Sequence, residues 1–513
     1  MEAATVPGRS RFSTRAAVAR ELVRSRSRVF WIVAGLTALA ALLRFATLGL
    51  QAYHHDEIVT ASRILRGSFW HAMSAVEFSE SAPPLYYALA WFWTQLTGTG
   101  EVGLRSLSAV AGVATVPVAY LIGRELRDHR AGIAAAALVA VNPMLLWYSQ
   151  EARGYALLVL LGGISLLYFL RALDGGSRRD FVFWGLASGL ALATHYFAIF
   201  PIAAEALWLL WRRRRASARG MAVLGLFAIG LAPLAYRQMS YGHAEWISNF
   251  SLGHRLWETF AAFAVGETSD IIARPERPLL AVAPLALMLA ALALLALRGE
   301  RAERRTAAVP LAIAGVAFGV PLLLAVLPGG KDFVIGRNLI PALLPLLAGV
   351  AVALTLNRAR RAGIAIGAAL LAYSLAFSVW ASVSPALQRP DWEAVADRLG
   401  EPQEPRAMVG WVIGSAPLRY YLSTGSFQAF PVEEHEWLVG EIDFISDGPV
   451  PPPPEGLLGP EFVQAGLIDT GRLQIRRYEV PGPGLAPLRL KRMREADLNF
   501  RTNGVLLDGI GPG

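Results

Sequence analysis

Apolar residues in this chain gather into long unbroken runs, with few strictly alternating stretches. The runs lie near 30–49, 106–123, 131–148, 155–170, 181–197, 198–211, 221–236, 279–297, 307–327, 339–356 and 362–383. Most approach the roughly 20 residues that a helix needs to cross a hydrocarbon core. The pattern therefore predicts about eleven membrane-spanning helices. The shortest separation falls at Phe200-Pro201, between the fifth and sixth runs. The stretch 30–49 is long and lacks a small-residue cleavage site, so it is expected to remain as a span.

The segments between runs alternate in charge. Arginines cluster at 24–28, 124–130, 171–179, 212–215, 298–305 and 358–361, in every second segment. Arginine-rich loops stay on the cytoplasmic side of a membrane. This predicts a cytoplasmic segment 1–29, a membrane domain 30–384 and long outward loops at 50–105 and 237–278. With an odd span count, residues 385–513 form an extracytoplasmic domain. Composition agrees: 54% of residues are hydrophobic, 17% are charged and the mean hydropathy is +0.42. Soluble domains carry about 25% charged residues. Disorder is thereby ruled out, and the composition argues against an ordinary soluble enzyme.

A net charge of +9 could suggest nucleic acid. Split along the chain, it does not. Residues 385–513 carry 12 basic and 18 acidic groups, and the positive excess sits in the short loops before them. No nucleic-acid partner is expected. Within 385–513, a helical pattern begins at Asp391-Trp392-Glu393. Strand-like runs follow at 407–413, 441–446 and 472–480, with a proline run at Pro451–Pro454. The expected fold class is a polytopic α-helical membrane protein with a small C-terminal α/β domain outside. The chain has no cysteine, which excludes disulfides, thiolate metal sites and thiol catalysis.

Ionisable groups of a membrane protein avoid the hydrocarbon unless they are used. Five groups stand out. The first is His54-His55-Asp56-Glu57, where a carboxylate could act as base or cap a short interfacial helix. The second is Glu80-Ser81-Ala82-Pro83-Pro84-Leu85-Tyr86-Tyr87, with prolines that also suit plain helix punctuation. The third is Glu151-Ala152-Arg153-Gly154-Tyr155, a phosphate site or a structural Glu151–Arg153 cluster. His195 and Tyr196, with Glu205 further along, form the fourth, and Lys331 through Arg337-Asn338 the fifth. All five fall on one side of the predicted topology, which points to a shared outward site.

The order of these motifs resembles the GT-C membrane glycosyltransferases. The similarity is to the bacterial group that includes protein O-mannosyltransferases, lipid A aminoarabinose transferases and Rgt-type galacturonosyltransferases (glycosyltransferase family 39-like). It is carried by Asp56-Glu57, Pro83-Pro84-Leu85-Tyr86-Tyr87, Glu151-Ala152-Arg153-Gly154-Tyr155, Thr194-His195-Tyr196-Phe197-Ala198, Gly336-Arg337-Asn338 and Arg389-Pro390-Asp391-Trp392. The resemblance implies a GT-C fold and a sugar carried on a polyprenyl phosphate. Transfer would go to a cell-envelope glycan, lipid or protein at the outer face, with inversion at the anomeric carbon. It makes Asp56 the catalytic base, with Glu57 beside it. Glu80, Arg153, Tyr155, His195, Tyr196, Lys331 and Arg337 become substrate-binding candidates. Glu80 and His195 match residues that hold a divalent metal in some relatives, so a metal is left open. The sequence departs from the group at Ala82, where relatives often have His or Lys, and at Asn338, where they often have Tyr.

Two other readings compete with a transferase. A transporter or flippase would show repeat symmetry and midplane charges; the runs are largely uncharged and no repeat is visible. An inactive envelope scaffold would bury Asp56 in a salt bridge without an adjoining opening.

Overall fold

The computed structural model describes residues 10–241, 245–268, 279–328, 332–410, 412–423, 426–429, 436–496, 498 and 504–508. Lys331, one of the expected binding residues, lies outside them.

The first half is built of helices α1 (Ser10–Phe45), α2 (His55–Ile58), α3 (Phe69–Ser79), α4 (Leu85–Thr97), α5 (Glu101–Leu126), α6 (His129–Val141), α7 (Pro143–Ser149), α8 (Tyr155–Leu173), α9 (Arg178–Thr194) and α10 (Ile199–Ser240). Helix α11 (Leu252–Val265) follows, then long helices at Leu279–Arg298, Arg301–Val326 and Arg360–Val383. The segment Gly336–Leu354 between the last two is helical in three consecutive pieces. Leu, Ala and Val from α5, α6, α8, α9 and Leu343–Leu354 make one continuous core. The outward sides of several helices stay apolar and exposed, as lipid-facing surfaces do.

Among the described residues, eight helices are long and apolar enough to cross a membrane, or nine if the bent pair α6–α7 counts as one span. This corrects the expected eleven. Run 181–197 falls in α9, which has only 17 residues. Runs 198–211 and 221–236 lie in one helical run, Ile199–Ser240, broken at Arg213 by non-helical dihedrals. The polar Arg212–Arg215 stretch, expected as a loop, holds the kink at which two helices meet. The run is no straight rod, because Tyr196 Oη at its start donates to Gln238 Oε1 near its end at 2.8 Å.

The bend between α6 and α7 is 58°. Pro143 has no N–H for the carbonyl four residues back, Val139. Arg44, fully buried near the end of α1, takes up the freed acceptors. It donates to Val139 O at 3.2 Å, Ala140 O at 3.0 Å and Ser149 Oγ at 3.1 Å. Gly112 makes room, since a Cβ there would lie 2.0 Å from Ser149 Oγ and 2.9 Å from Arg44 Nε. Arg44→Leu orphans two buried carbonyls, at about 1–3 kcal/mol each. A clearly lowered thermal unfolding midpoint in detergent is the expected result, and an unchanged midpoint would refute this role.

The loop arginines meet at one end of the bundle. Arg127 pairs with Glu303 at 2.8 Å and donates to Thr355 O at 2.5 Å. Arg358 pairs with Glu300, Arg171 with Glu125, and Arg213 donates to Leu173 O. Asp56, Glu80, Glu151, Arg153, His195 and Arg337 lie toward the opposite helix ends, whereas Glu205 sits within the bundle.

After Val383 the chain forms a C-terminal α/β region. Helix Trp392–Leu399 is capped by Asp391, whose carboxylate accepts from Ala394 N–H. The strands are β1 (Arg406–Gly410), β2 (Ser426–Ala429), β3 (Glu436–Val439), β4 (Glu441–Asp447), β5 (Val463–Asp469), β6 (Leu473–Glu479), β7 (Ala486–Arg489) and β8 (Gly504–Asp508). Six form a mixed sheet in the order β2-β8-β1-β4-β6-β5, in which only β1 and β4 are parallel. Strands β3 and β7 pair separately.

Candidate active site

Six carboxylates at this end of the bundle each meet an arginine distant in the chain, one of them Glu77 with Arg237 at 2.9 Å. Glu57 pairs with Arg105 at 2.7 Å, Glu80 with Arg153 at 2.6 Å and Glu151 with Arg389 at 2.8 Å. Asp332 pairs with Arg255 at 2.6 Å, and Asp56 with Arg337 at 3.0 Å. Exposure separates them. Asp56 and Arg337 are 27% and 29% exposed and Glu77 and Arg237 are 20% and 57% exposed, whereas each of the other four pairs has at least one partner at 5% or less.

Local structure explains why neighbouring acids differ. Helix α2 is capped by its own Glu57, which accepts from His54 N–H at 3.0 Å. Glu57 is fully buried and also accepts from Ala152 N–H at 2.9 Å and from Arg105 Nε and Nη2. Arg105 donates further to the carbonyls of Leu48, Gln51 and Ala52. Glu57 is thereby saturated and holds the loop. Asp56 has no capping duty: its carboxylate turns to Arg337. The helix start expected near Asp56 is real, but the cap belongs to Glu57.

The electrostatics agree. Burial opposes charge on Asp56, yet Arg337 and Arg153 outweigh it and hold the carboxyl well below the ordinary carboxylate range. Burial pulls His54 down to about 4 and His195 to about 3, Arg153 and Arg337 adding to the latter. Both imidazoles are neutral at physiological pH. Burial raises Glu151, and Arg389 only partly offsets it.

The remaining expected residues divide. Arg153 forms two 2.6 Å bonds to Glu80, reaches Thr60 Oγ1 at 3.5 Å and lies 5.9 Å above the Tyr87 ring. The structural Glu151–Arg153 cluster is not formed, because each residue has another partner. Tyr155 packs between Tyr148 at 4.6 Å and His195 at 5.4 Å, and His195 faces Phe197. Arg337 lies 5.6 Å above Trp246. This gives an aromatic row beside the cations. Tyr196 is committed elsewhere, through Gln238 to the carbonyls of Val76 and Ala82. Glu205 accepts from Ser165 and Trp184 within the bundle. Among the described residues no three His, Cys, Asp or Glu side chains are placed to hold a metal ion. Glu80 spends both carboxylate oxygens on Arg153.

Three contributors escaped the sequence reading. Arg105 lies at the edge of an apolar run, where it reads as an interfacial charge. Glu267, which accepts from Tyr148 Oη, sits in a loop without a motif. Arg389 belongs to a quoted motif but sits 238 residues from its partner Glu151.

A sequence family described as dolichyl-phosphate-mannose-protein mannosyltransferase matches residues 81–236. That stretch contains Arg153, Tyr155, His195 and Tyr196. An undecaprenyl phosphate-alpha-4-amino-4-deoxy-L-arabinose arabinosyl transferase of Pseudomonas aeruginosa is 30% identical over 259 residues, 48% of this chain and 45% of the relative. Its counterpart from Pseudomonas paraeruginosa matches at the same identity and coverage. The chain thus spans about half the length of the curated relatives it matches. Among solved structures, ArnT from Cupriavidus metallidurans bound to undecaprenyl phosphate is 18% identical, with 76% of this chain and 74% of that one covered and a TM-score of 0.45. The archaeal oligosaccharyltransferase AglB from Archaeoglobus fulgidus is 12% identical, with 74% and 59% covered and a TM-score of 0.44. The chain is a polytopic membrane protein related to the aminoarabinose and O-mannosyl transferases of GT-C type.

Proposed function

We propose that this chain is an integral membrane glycosyltransferase. It moves a sugar from a polyprenyl-phosphate donor to a cell-envelope acceptor, with inversion and with Asp56 as general base. The relatives support the reaction class. The observation that carries the assignment of Asp56 is exposure in the right company: its pair with Arg337 is open on both partners, unlike the arginine pairs of Glu57, Glu80, Glu151 and Asp332, and Arg153 stands near enough to act on its charge, which sets it apart from the open pair Glu77–Arg237. The scaffold reading needed this pair buried. In this reading the arginine-rich end of the bundle faces the cytoplasm, and the site and C-terminal region face outward.

The chemistry follows from the charges. The acceptor oxygen forms a bond to the anomeric carbon and gives its proton to Asp56. The bond from that carbon to the phosphate oxygen breaks, and the polyprenyl phosphate leaves with the electron pair. Arg337 and Arg153 stabilise the phosphate as its charge grows, and the sequence offers Lys331 as a further candidate cation. Tyr155 and the neutral His195 wall the sugar site. Glu57, Glu80 and Tyr196 hold the loops. In the free protein Arg337 suppresses the basicity of Asp56. A donor phosphate competes for Arg337, so Asp56 becomes a stronger base once the donor is bound.

The direct test is sugar transfer from a panel of labelled undecaprenyl-phosphate sugars into cell-envelope fractions by the purified full-length protein. Transfer from one donor names the sugar, and transfer from none refutes the reading. A second expectation concerns pH. A base works only when ionised, so activity falls as pH drops through its pKa. Arg337→Gln removes the cation that holds Asp56 low, so the acid limb of kcat/KM moves upward, toward about pH 4. The same change lowers kcat/KM about 10²–10³-fold through lost phosphate stabilisation. Pre-steady-state pH profiles on both proteins check this, and an unmoved limb would remove Asp56 as base.

A further inference from the structure

The chain leaving the last long helix passes beside the Asp56 loop before it enters the C-terminal region, and it makes two attachments there. Arg389 is 6% exposed. Its backbone N–H donates to Gln51 Oε1 at 3.1 Å and Nη2 to Glu151 at 2.8 Å, while the guanidinium lies 4.4 Å above the Trp147 ring. The second attachment comes from helix Val412–Leu422. Tyr421 Oη donates to Glu101 at 2.9 Å and accepts from Tyr53 N–H at 2.7 Å. The neighbouring Tyr420 ring sits 6.0 Å from that of Tyr53.

Arg105 holds the same segment from the bundle side through the carbonyls of Leu48, Gln51 and Ala52. The loop that carries Asp56 is therefore gripped on both sides, and one side belongs to the C-terminal region. Neither Arg389 nor Tyr421 bonds to Asp56 or Arg337. Any effect they have on the base passes through the backbone of 51–57.

We infer that Arg389 and Tyr421 are positioning residues, through which the C-terminal region sets the placement of Asp56 and hence turnover. The inference rests on the transferase reading. The bonds to the Gln51 side chain and the Tyr53 N–H at the loop's start fix where the Asp56 carboxylate lies, and a shift of about 1 Å at a reacting group can cost about 10²-fold in rate. Donor affinity depends on Arg153 and Arg337, which these residues leave alone.

Tyr421→Phe keeps the ring and deletes both hydrogen bonds. Arg389→Lys keeps the charge toward Glu151 and loses the planar stacking on Trp147. Each variant is expected to lower kcat about tenfold with KM for the donor unchanged. Arg389→Gln is expected to fall further, and Lys at this position to recover part of that loss. Amide hydrogen exchange of a peptide spanning 48–60 is expected to speed up in each variant, while a peptide from α4 stays as in wild type. Wild-type turnover in both variants, or a rise in KM equal to the loss in kcat, overturns the inference. So does unchanged exchange at 48–60. If wild type itself transfers no sugar, the transferase reading falls, and the exchange data alone decide whether the C-terminal region grips this loop.

Discussion

Asp56→Asn is expected to lower sugar transfer by about 10²–10⁴-fold, the range for removing a positioned general base. Fold should be spared. The amide keeps the size of the carboxylate, and its oxygen still accepts from Arg337. The pair it disrupts is more than a quarter exposed on both sides, and such pairs contribute only about 0–1 kcal/mol. The measurement is transfer by wild type and variant at matched amounts, with thermal unfolding midpoints in the same detergent. Equal transfer would end the assignment of Asp56. Loss of transfer with a collapsed midpoint would assign Asp56 a structural role instead.

Arg105→Met is expected to produce the opposite profile. It strands the Glu57 carboxylate, which is fully buried, without its charge partner. Breaking a buried pair on one side costs about 3–5 kcal/mol. The three loop carbonyls that Arg105 serves lose their donor as well. The expected outcome is a low yield of monodisperse protein and a midpoint lowered by many degrees. The double variant Arg105→Met with Glu57→Met removes the stranded charge and should regain part of the loss, because replacing both members of a buried pair with apolar groups is often near neutral. A double variant no better than Arg105→Met would show that the carbonyls, and not the charge pair, dominate. Adjacent residues Asp56 and Glu57 thus separate function from folding.

Membrane class and most helices were legible because long apolar runs have few alternatives in water. The helix at 392–399 announced itself through Asp391 and an amphipathic pattern. Three strands of the C-terminal region were visible as β-branched stretches, but β2, β3, β5, β7 and β8 were not. Several of these are short or edge strands, and their identity depends on the partner they pair with. The span count was overread for a related reason. Run 181–197 loses its last three residues to a break after Thr194, and runs 198–211 and 221–236 share one helical run kinked at Arg213; periodicity encodes neither.

The sequence by itself determined which residues could do chemistry. Ionisable groups are costly in hydrocarbon, so those placed between apolar runs had to serve a site or a structure. It placed Asp56, Arg153 and Arg337 among the candidates. Only the tertiary structure decided their partners and their exposure. Asp56 and Arg337 are 281 residues apart, and no local rule pairs them. The two carboxylates 56 and 57 look equivalent in sequence, yet packing against Arg105 buries one and leaves the other open. Solvent exposure and choice of partner belong to the assembled fold, because both depend on which distant arginine arrives at each acid.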